Sequence, residues 1–426
     1  MKLSRLVTIP LVVPLAAVAQ IIDSPDGEVA GIPAIYTEAK AGWFELPDPL
    51  VCEDGTPVTD VASWREKRRP EVLGLVESNQ YGRVPPAPDA LKFERFDEGT
   101  PAFDGTARRK QVTITFDEEG EHFLDLLVYL PAGSEGDCPI LLNIGWIANN
   151  LAVDDPGVKV GRQWNREEQR REPATKGGPF GKLGMIPMAL ERGYGVAHFN
   201  YADIEPDDRN GFTHGIRRHF LEEGRSEPGP GDWGAIAAWG WGISRVIDYF
   251  ETDPDIDASR VAITGVSRLG KTVLWAGARD ERVACVLASV SGSGGASLNR
   301  RRYGERPAHL VARFPYWFAP KFASWVGREE ESPWDSHFIL SLIAPRAVLL
   351  QTGSTDKWSD PYGELVAARA ATPVFHLFDR KGIEDYPQPP LGEPVMNRLG
   401  YLMHDGGHGM VPGDWPVFLD FMDRHL

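Results

Sequence analysis

From about residue 109 onward the chain alternates short apolar runs with longer helical stretches, and this alternation limits the possible folds more than any other feature. "RKQVTITF" and "HFLDLLVYLP" read as an antiparallel hairpin across a polar turn. "PILLNIGW", "GYGVAHFN", "RVAITG", "RVACVLASV", "RAVLLQTG" and "VFHLFD" follow as further strand-like runs. Runs this short with both faces apolar must be covered on both sides, as parallel strands are in a sheet sandwiched by helices. "DWGAIAAWGWGISRVIDYF" and the terminal "DWPVFLDFMDRHL" supply clear helices. The expected architecture is a three-layer α/β/α sandwich with a mainly parallel sheet, one domain over residues 20–426. Residues from about 20 to 105 are rich in Pro and turn formers, with one helical stretch at "WREKRRPEVLGLVESNQYG". They are expected to wrap on the domain as a lead-in. Two connections, about 148–185 and 296–335, are long and polar, and long loops at strand ends usually build binding sites.

The N-terminus adds a cellular context. Lys2 and Arg5 precede "LVTIPLVVPLAAVA", which ends in Ala17-Val18-Ala19. A charged start, an apolar run and an A-x-A site predict a signal peptide over residues 1–19, and hence a secreted or periplasmic chain. The run is short and holds two prolines, which argues against a membrane anchor. No later run approaches the ~20 apolar residues of a spanning helix. Without Lys2 and Arg5 the chain keeps 43 basic against 61 acidic residues, a net charge of −18. That balance disfavours nucleic acid and anionic membranes as partners. Cys52, Cys138 and Cys285 are odd in number with no C-x-x-C spacing. They indicate neither a disulfide framework nor a zinc site. Cys285, in "RVACVLASV", reads as a small core residue.

"ITGVSRLGKTVLWAGARD", Ile263 to Asp280, carries the chemistry and fits two kinds. Gly265 to Thr272 spells G-x-x-x-x-G-K-T, the pattern of a phosphate-binding loop. The same residues place Ser267 between a strand and a helix, as in a nucleophile elbow. Gly265 allows the sharp turn and Gly270 allows close packing of helix on sheet. A phosphate loop usually follows the first strand of its sheet, whereas four or more strands precede this one. An exported protein also lacks a cytosolic nucleotide. The elbow is the favoured reading, with a nucleotide-binding protein kept as the rival from another class.

A serine hydroxyl is a weak nucleophile and needs a base, and the base needs an orienting acid. On this scaffold the order is Ser, acid, His. Of the late histidines, His425 lies in the terminal helix and His376 in a strand-like run. His408, in "MHDGGHGMVPGDW", sits in a Gly-rich loop and is the expected base. His404, four residues earlier, reads as a support or a surface residue. Gly406 and Gly407 argue against the helix a His404–His408 metal pair would need. The expected acid is Asp356, first after "RAVLLQTG". Asp360, beside Pro361, is well placed to cap the following helix instead.

Arg268 and Lys271 stand on the first turn behind Ser267, where the helix dipole disfavours cations. Lys271 is one turn from Ser267 and shares its face. Two cations at the nucleophile of an acidic chain suggest that they meet negative charge. Arg268 would stabilise an oxyanion through its backbone N–H and guanidinium, and Lys271 would hold an anionic part of the substrate.

Together, "GVSRLGK", "STDKW" and "GGHGM" resemble the glucuronoyl esterases, carbohydrate esterase family 15, of bacterial type, whose signature is G-C-S-R-x-G-K. The blocks match in order from about residue 100 to the end. The resemblance implies an α/β-hydrolase fold and a serine hydrolase that needs no metal or cofactor. It also implies cleavage of esters between lignin alcohols and the 4-O-methyl-glucuronic acid branches of xylan. It carries Ser267 as nucleophile, Arg268 at the oxyanion, His408 as base, and Lys271, Glu305 and Trp358 as sugar ligands. The implied partner is a uronic-acid-bearing polysaccharide or lignin–carbohydrate ester, met by a monomer. Two positions depart from the family. Val266 replaces the signature Cys, so the fungal disulfide cannot form there. Val290, in "SVSGSGG", stands where fungal members carry the acid as E-S-G, which strengthens Asp356. The nearest rival reading is another polysaccharide esterase, such as an acetylxylan esterase.

Overall fold

The computed structural model describes residues 23–426 except 43, 135, 178–180 and 385–387. The predicted signal peptide lies outside the described residues. Nine strands form the main sheet: β1 (Lys92–Ala102), β2 (Ala107–Thr115), β3 (Phe123–Pro131), β4 (Cys138–Gly145), β5 (Gly195–Asn200), β6 (Ile256–Val266), β7 (Val283–Ser289), β8 (Ala347–Gly353) and β9 (Leu399–His404). Their spatial order is β9-β8-β7-β6-β4-β5-β3-β2-β1. From β9 to β5 every pairing is parallel, and from β5 to β1 every pairing is antiparallel. The expected hairpin is the β2–β3 pair.

Alternate side chains of the parallel strands serve two separate cores, as strand geometry requires. Val286 and Ala288 of β7 join one core with Trp239, Trp275, Leu340 and Phe375. These come from helices α1 (Ala235–Phe250), α2 (Arg268–Arg279), α3 (Ser336–Ile343) and α4 (Pro361–His376). Cys285 and Leu287 of the same strand face a second core with Ile186, Ala189, Phe418 and Met422. That face is covered by Ile186–Glu191 and by α5 (Asp414–His425). The result is the expected sandwich of the α/β-hydrolase fold. All three cysteines are free and buried, and Cys285 is a core residue.

Two sequence expectations need correction. The sheet begins inside the supposed lead-in, because β1 covers residues 92–102. It is an edge strand, largely exposed and rich in charge, and so lacks the apolar signature of the inner strands. "VFHLFD" is not a strand. Through His376 it is the last turn of α4, and His376 is exposed beside Glu384 rather than buried in a sheet. Pro373 and the β-branched Val374 give that turn a composition that hides its helical state. The sixth parallel strand is instead "LGYLMH", β9.

The rest of the lead-in packs against the α1–α4 face. Trp64, Val72, Val76 and Tyr81 share the core of the α1–α4 face. Tyr81 stacks on Trp275 of α2 with ring centroids 4.4 Å apart, and its hydroxyl donates to the Gly294 carbonyl at 2.5 Å. That bond ties the lead-in to the loop after β7. No helix among the described residues is long and apolar enough to cross a membrane.

Candidate active site

β6 ends at Val266, and α2 begins at Arg268. Ser267 alone makes the turn between them, at φ 61° and ψ −122°. This conformation is strained for a residue with a Cβ, and such strain persists only where the surroundings enforce it. The Ser267 amide donates to the Ser289 carbonyl of β7 at 2.9 Å. A Cβ on residue 265 would lie 2.5 Å from the Leu269 carbonyl oxygen, and one on residue 270 would lie 2.6 Å from that of Ser289. Both glycines are therefore required by the turn itself and by the seating of α2. The same geometry removes the phosphate-loop reading. Residues 268–272 are already helical, so no open loop lies between the glycines to cradle a phosphate.

The loops after β6, β8 and β9 leave the same, carboxyl-terminal edge of the parallel strands, where sites of open α/β sheets form. Asp356 follows β8 and His408 follows β9. Their side chains meet, with His408 Nδ1 2.7 Å from Asp356 Oδ2. Asp356 is buried while the imidazole is half exposed. Contacts between the two loops fix this pairing. Thr355 N donates to Gly406 O at 2.9 Å, and Ser354 N donates to His404 O at 3.0 Å. A Cβ on residue 353 would meet the Gly407 carbonyl at 2.3 Å, so this approach needs the bare backbone of Gly353. Ser359 donates its backbone N–H to Asp356 at 3.3 Å, and its Oγ lies 3.2 Å from His408 Nδ1. Among the described residues no group hydrogen-bonds the Ser267 hydroxyl. Such bonds commonly tighten only when substrate arrives.

Asp360 has the cap role weighed for it. Its carboxylate accepts from Gly363 N at 3.0 Å at the start of α4. It also binds Arg301 at 2.8 and 3.1 Å. His404 is the support residue and not a surface one. It is buried, pairs through Nδ1 with Asp414 at 2.8 Å, and lies 3.3 Å through Nε2 from the carbonyl of Gly407, the residue before His408. The Asp414 hydrogen bond raises its pKa above the usual histidine value, in spite of burial.

The two cations of α2 are neither solvated nor unpaired. Lys271 is buried and donates to the Ser291 carbonyl at 2.7 Å and to Glu305 Oε2 at 3.3 Å. Glu305 accepts with its other oxygen from Trp358 Nε1 at 3.2 Å. Lys271, Glu305 and Trp358, which nothing local in the sequence joins, thus form one chain beside the elbow, with Lys271 and Glu305 buried and Trp358 partly exposed. The Arg268 guanidinium pairs with Asp207 and lies 4.9 Å from the Trp146 ring and 4.7 Å from that of Trp317. Burial lowers its pKa. Both cations already face carboxylates of the protein, so their presence alone does not report an anionic substrate. Each keeps spare donor capacity. Arg268 Nε is buried without a partner, and its backbone N–H, first in the helix, has no intrahelical acceptor. The Lys271 ammonium has three protons and two protein acceptors among the described residues.

The chain is similar over most of its length to known esterases. The family model described as "Glucuronyl esterase, fungi" matches residues 182–379. The carbohydrate esterase MZ0003, of an unknown prokaryotic organism, is 38% identical over 413 residues, 95% of each chain. A solved glucuronoyl esterase from Solibacter usitatus is 42% identical and superposes with a TM-score of 0.87, over 91% of this chain and 100% of that one. The chain belongs to the glucuronoyl esterase family. A 4-O-methyl-glucuronoyl methylesterase of Schizophyllum commune is 26% identical over 398 residues, covering 88% of this chain and 85% of its own. The protein is accordingly a carboxylic ester hydrolase with the α/β-hydrolase fold.

The departures from the fungal pattern have a physical form in this glucuronoyl esterase. Val290, where the resemblance places the fungal acid, is buried at φ 42°, an uncommon conformation for a β-branched side chain. Its amide donates to Gln351 O of β8 at 2.7 Å. Sequence reasoning missed Asp207, which holds Arg268 and accepts from Tyr316 Oη and Trp317 Nε1, both at 2.8 Å. It also missed Glu364. That carboxyl is fully buried on α4, accepts from Ser291 Oγ at 2.9 Å and Gly292 N at 2.6 Å, and leaves its other oxygen unpaired. Burial pushes its pKa up to about 8. Neither residue has a local signal, because each is defined by partners distant in the chain.

Proposed function

We propose that this enzyme hydrolyses esters of the glucuronic acid carboxyl, including 4-O-methyl-glucuronate branches linked to lignin alcohols. The observation that carries the reading is one edge of the sheet holding three things: a strained serine turn, a buried carboxylate bonded to a half-exposed imidazole, and a polar chain. Ser267 Oγ attacks the ester carbonyl while His408 Nε2 takes its proton. Asp356 accepts the Nδ1 proton and so keeps Nε2 free as the base. The oxyanion forms against the Arg268 backbone N–H and guanidinium. Collapse breaks the bond to the alcohol, which leaves with the proton from His408. Water, deprotonated by the same imidazole, then releases the acid from Ser267.

Lys271, Glu305 and Trp358 are the sugar ligands in this reading. The uronate carboxyl is esterified and neutral in the substrate, so these residues bind ring hydroxyls and not a carboxylate. A small acetyl group would leave them without a role, which disfavours an acetylxylan esterase. The chain acts as a secreted or periplasmic monomer on a uronic-acid-bearing polymer or oligomer.

The test compares benzyl glucuronate with a phenyl acetate. Ser267→Ala should lose both activities by several orders of magnitude, since triad members act as a unit. Lys271→Met alone would strand a buried glutamate, so it is paired with Glu305→Gln. That double variant gives up charge-assisted bonds of roughly 1.5–3 kcal/mol each. It should lose at least about tenfold in kcat/KM on the glucuronate ester and leave acetate hydrolysis nearly unchanged. An equal loss on both esters would refute the sugar-binding role.

A further inference from the structure

Away from this edge, at the turn of the β2–β3 hairpin, three ligating atoms converge. Asp117 Oδ2 lies 3.0 Å from His122 Nδ1, and His219 Nε2 lies 3.0 Å from that same nitrogen. All three atoms fall within 4.8 Å of one another. His122 and His219 stand 97 residues apart, so the spacing arguments applied to the cysteines and to His404–His408 had no means of finding the cluster.

We infer that Asp117, His122 and His219 form a binding site for one divalent transition-metal ion, zinc by its ligand chemistry, which fastens the β2–β3 turn to the segment Ile216–Phe220.

Three observations carry this. First, the spacing fits. Tetrahedral zinc at about 2.0–2.1 Å from its ligands separates them by about 3.3 Å, close to the two distances observed. Second, the hydrogen bonding is short of protons. His122 Nδ1 faces a carboxylate and an imidazole nitrogen together, and a neutral ring offers only one proton there. A cation at the centre satisfies all three atoms. Third, the carboxylate is already oriented. Asp117 Oδ1 accepts from Glu121 N at 2.9 Å and Oδ2 from His122 N at 3.0 Å, and Asp117 and His122 are both buried. Oriented, hydrogen-bonded ligands are typical of metal sites. The ligand set of two imidazoles and a carboxylate suits zinc, with the fourth position left for water.

One side chain competes. Arg218 Nε donates to His219 Nε2 at 3.2 Å. Arg218 is exposed, so its guanidinium can swing away when a metal takes that lone pair. The neighbouring Arg217 is buried against Glu205, and this segment leads back to Asp207, the partner of Arg268. The metal would therefore fasten this segment to the hairpin turn without belonging to the triad.

The test uses the untagged full chain, stripped with a chelator and titrated with zinc chloride by calorimetry. Cobalt(II) chloride is titrated in parallel and read by visible absorption. The expected result is one zinc per chain at micromolar concentration, intense four-coordinate cobalt bands, and a raised Tm. His219→Ala changes an exposed residue, and its metal-free Tm checks that it folds. It should bind more than about tenfold more weakly. Arg218→Ala should bind at least as tightly as the unaltered protein. Benzyl glucuronate hydrolysis should be the same with and without zinc, which separates this inference from the esterase reading. Absence of stoichiometric binding, or equal affinity in His219→Ala, would overturn the site. Weaker binding in Arg218→Ala would also overturn it, because the cluster would then be a hydrogen-bonded network that needs the guanidinium.

Discussion

Replacing Asp356 and Asp360 by Asn, one at a time, separates two carboxylates that compete in sequence for the third place of the triad. Asp360 accepts Gly363 N at 3.0 Å, Ser297 Oγ at 2.9 Å, and Arg301 at 2.8 and 3.1 Å. The side chains of Arg301 and Asp360 are 4% and 1% exposed. Asn keeps one acceptor oxygen but removes the charge, leaving Arg301 with Glu38, whose side chain is 47% exposed. Removing one partner of a buried pair costs about 3–5 kcal/mol, and the retained acceptor places the loss toward the lower end. Asp356 makes one short bond, 2.7 Å to His408 Nδ1, beside a weaker one from Ser359 N. Asn there turns an amide N–H toward Nδ1 and drives the imidazole proton onto Nε2, where it blocks the base. That tautomer error costs about 10⁴ in kcat in serine hydrolases, with little loss of stability here because the imidazole is half exposed. The assay is a urea unfolding midpoint together with kcat/KM on benzyl glucuronate for each variant. Asp360→Asn should shift the midpoint and spare activity, and Asp356→Asn should do the reverse. If Asp360→Asn abolishes activity with its midpoint unmoved, the acid is Asp360 and the triad described above is wrong.

Glu364→Gln mimics the protonated acid. Glutamate ionises at 4.5 when free and at about 8 in this fold, so between those values the folded state keeps a proton that the unfolded chain has lost. Stability from this group therefore falls as pH rises across that window. The variant should flatten the fall and unfold at higher urea than the unaltered protein at pH 9. His404→Gln should act with the opposite sign. The raised histidine pKa contributes stability that is complete below 6.5 and lost as pH rises through the folded value, so the variant should lose more stability at pH 6 than at pH 9. On activity, His404→Gln should be much milder than His408→Ala, measured as kcat on benzyl glucuronate.

What the sequence disclosed, and what it withheld, follows from the range of the forces involved. Gly265 and Gly270 are fixed by contacts of a few ångströms with Leu269 and Ser289, and the turn they permit is written within six residues. The parallel strands were legible because burial on both faces forces a local composition, as in "RAVLLQTG", where every residue of β8 is buried. β1 shares the sheet but not the burial, so its backbone pairing with β2 left no trace in its composition. The charges near Ser267 show the same limit in the site. Local dipole reasoning correctly marked Arg268 and Lys271 as requiring compensation. It could not tell that Asp207 and Glu305, 61 and 34 residues away, provide it. The anionic substrate inferred from those cations was therefore an inference about total charge, and the fold had already balanced that charge internally. What remains for a substrate is the donor capacity left after the ion pairs form. This directs attention from the net charge of the site to its unfilled hydrogen bonds: one ammonium proton on Lys271 and the first amide of α2. In the proposed reading these suit sugar hydroxyls and an oxyanion that exists only during the reaction. On this argument the cations serve an uncharged ester better than a charged acid, because their own carboxylate partners reduce the field that would otherwise hold the acid product in the site.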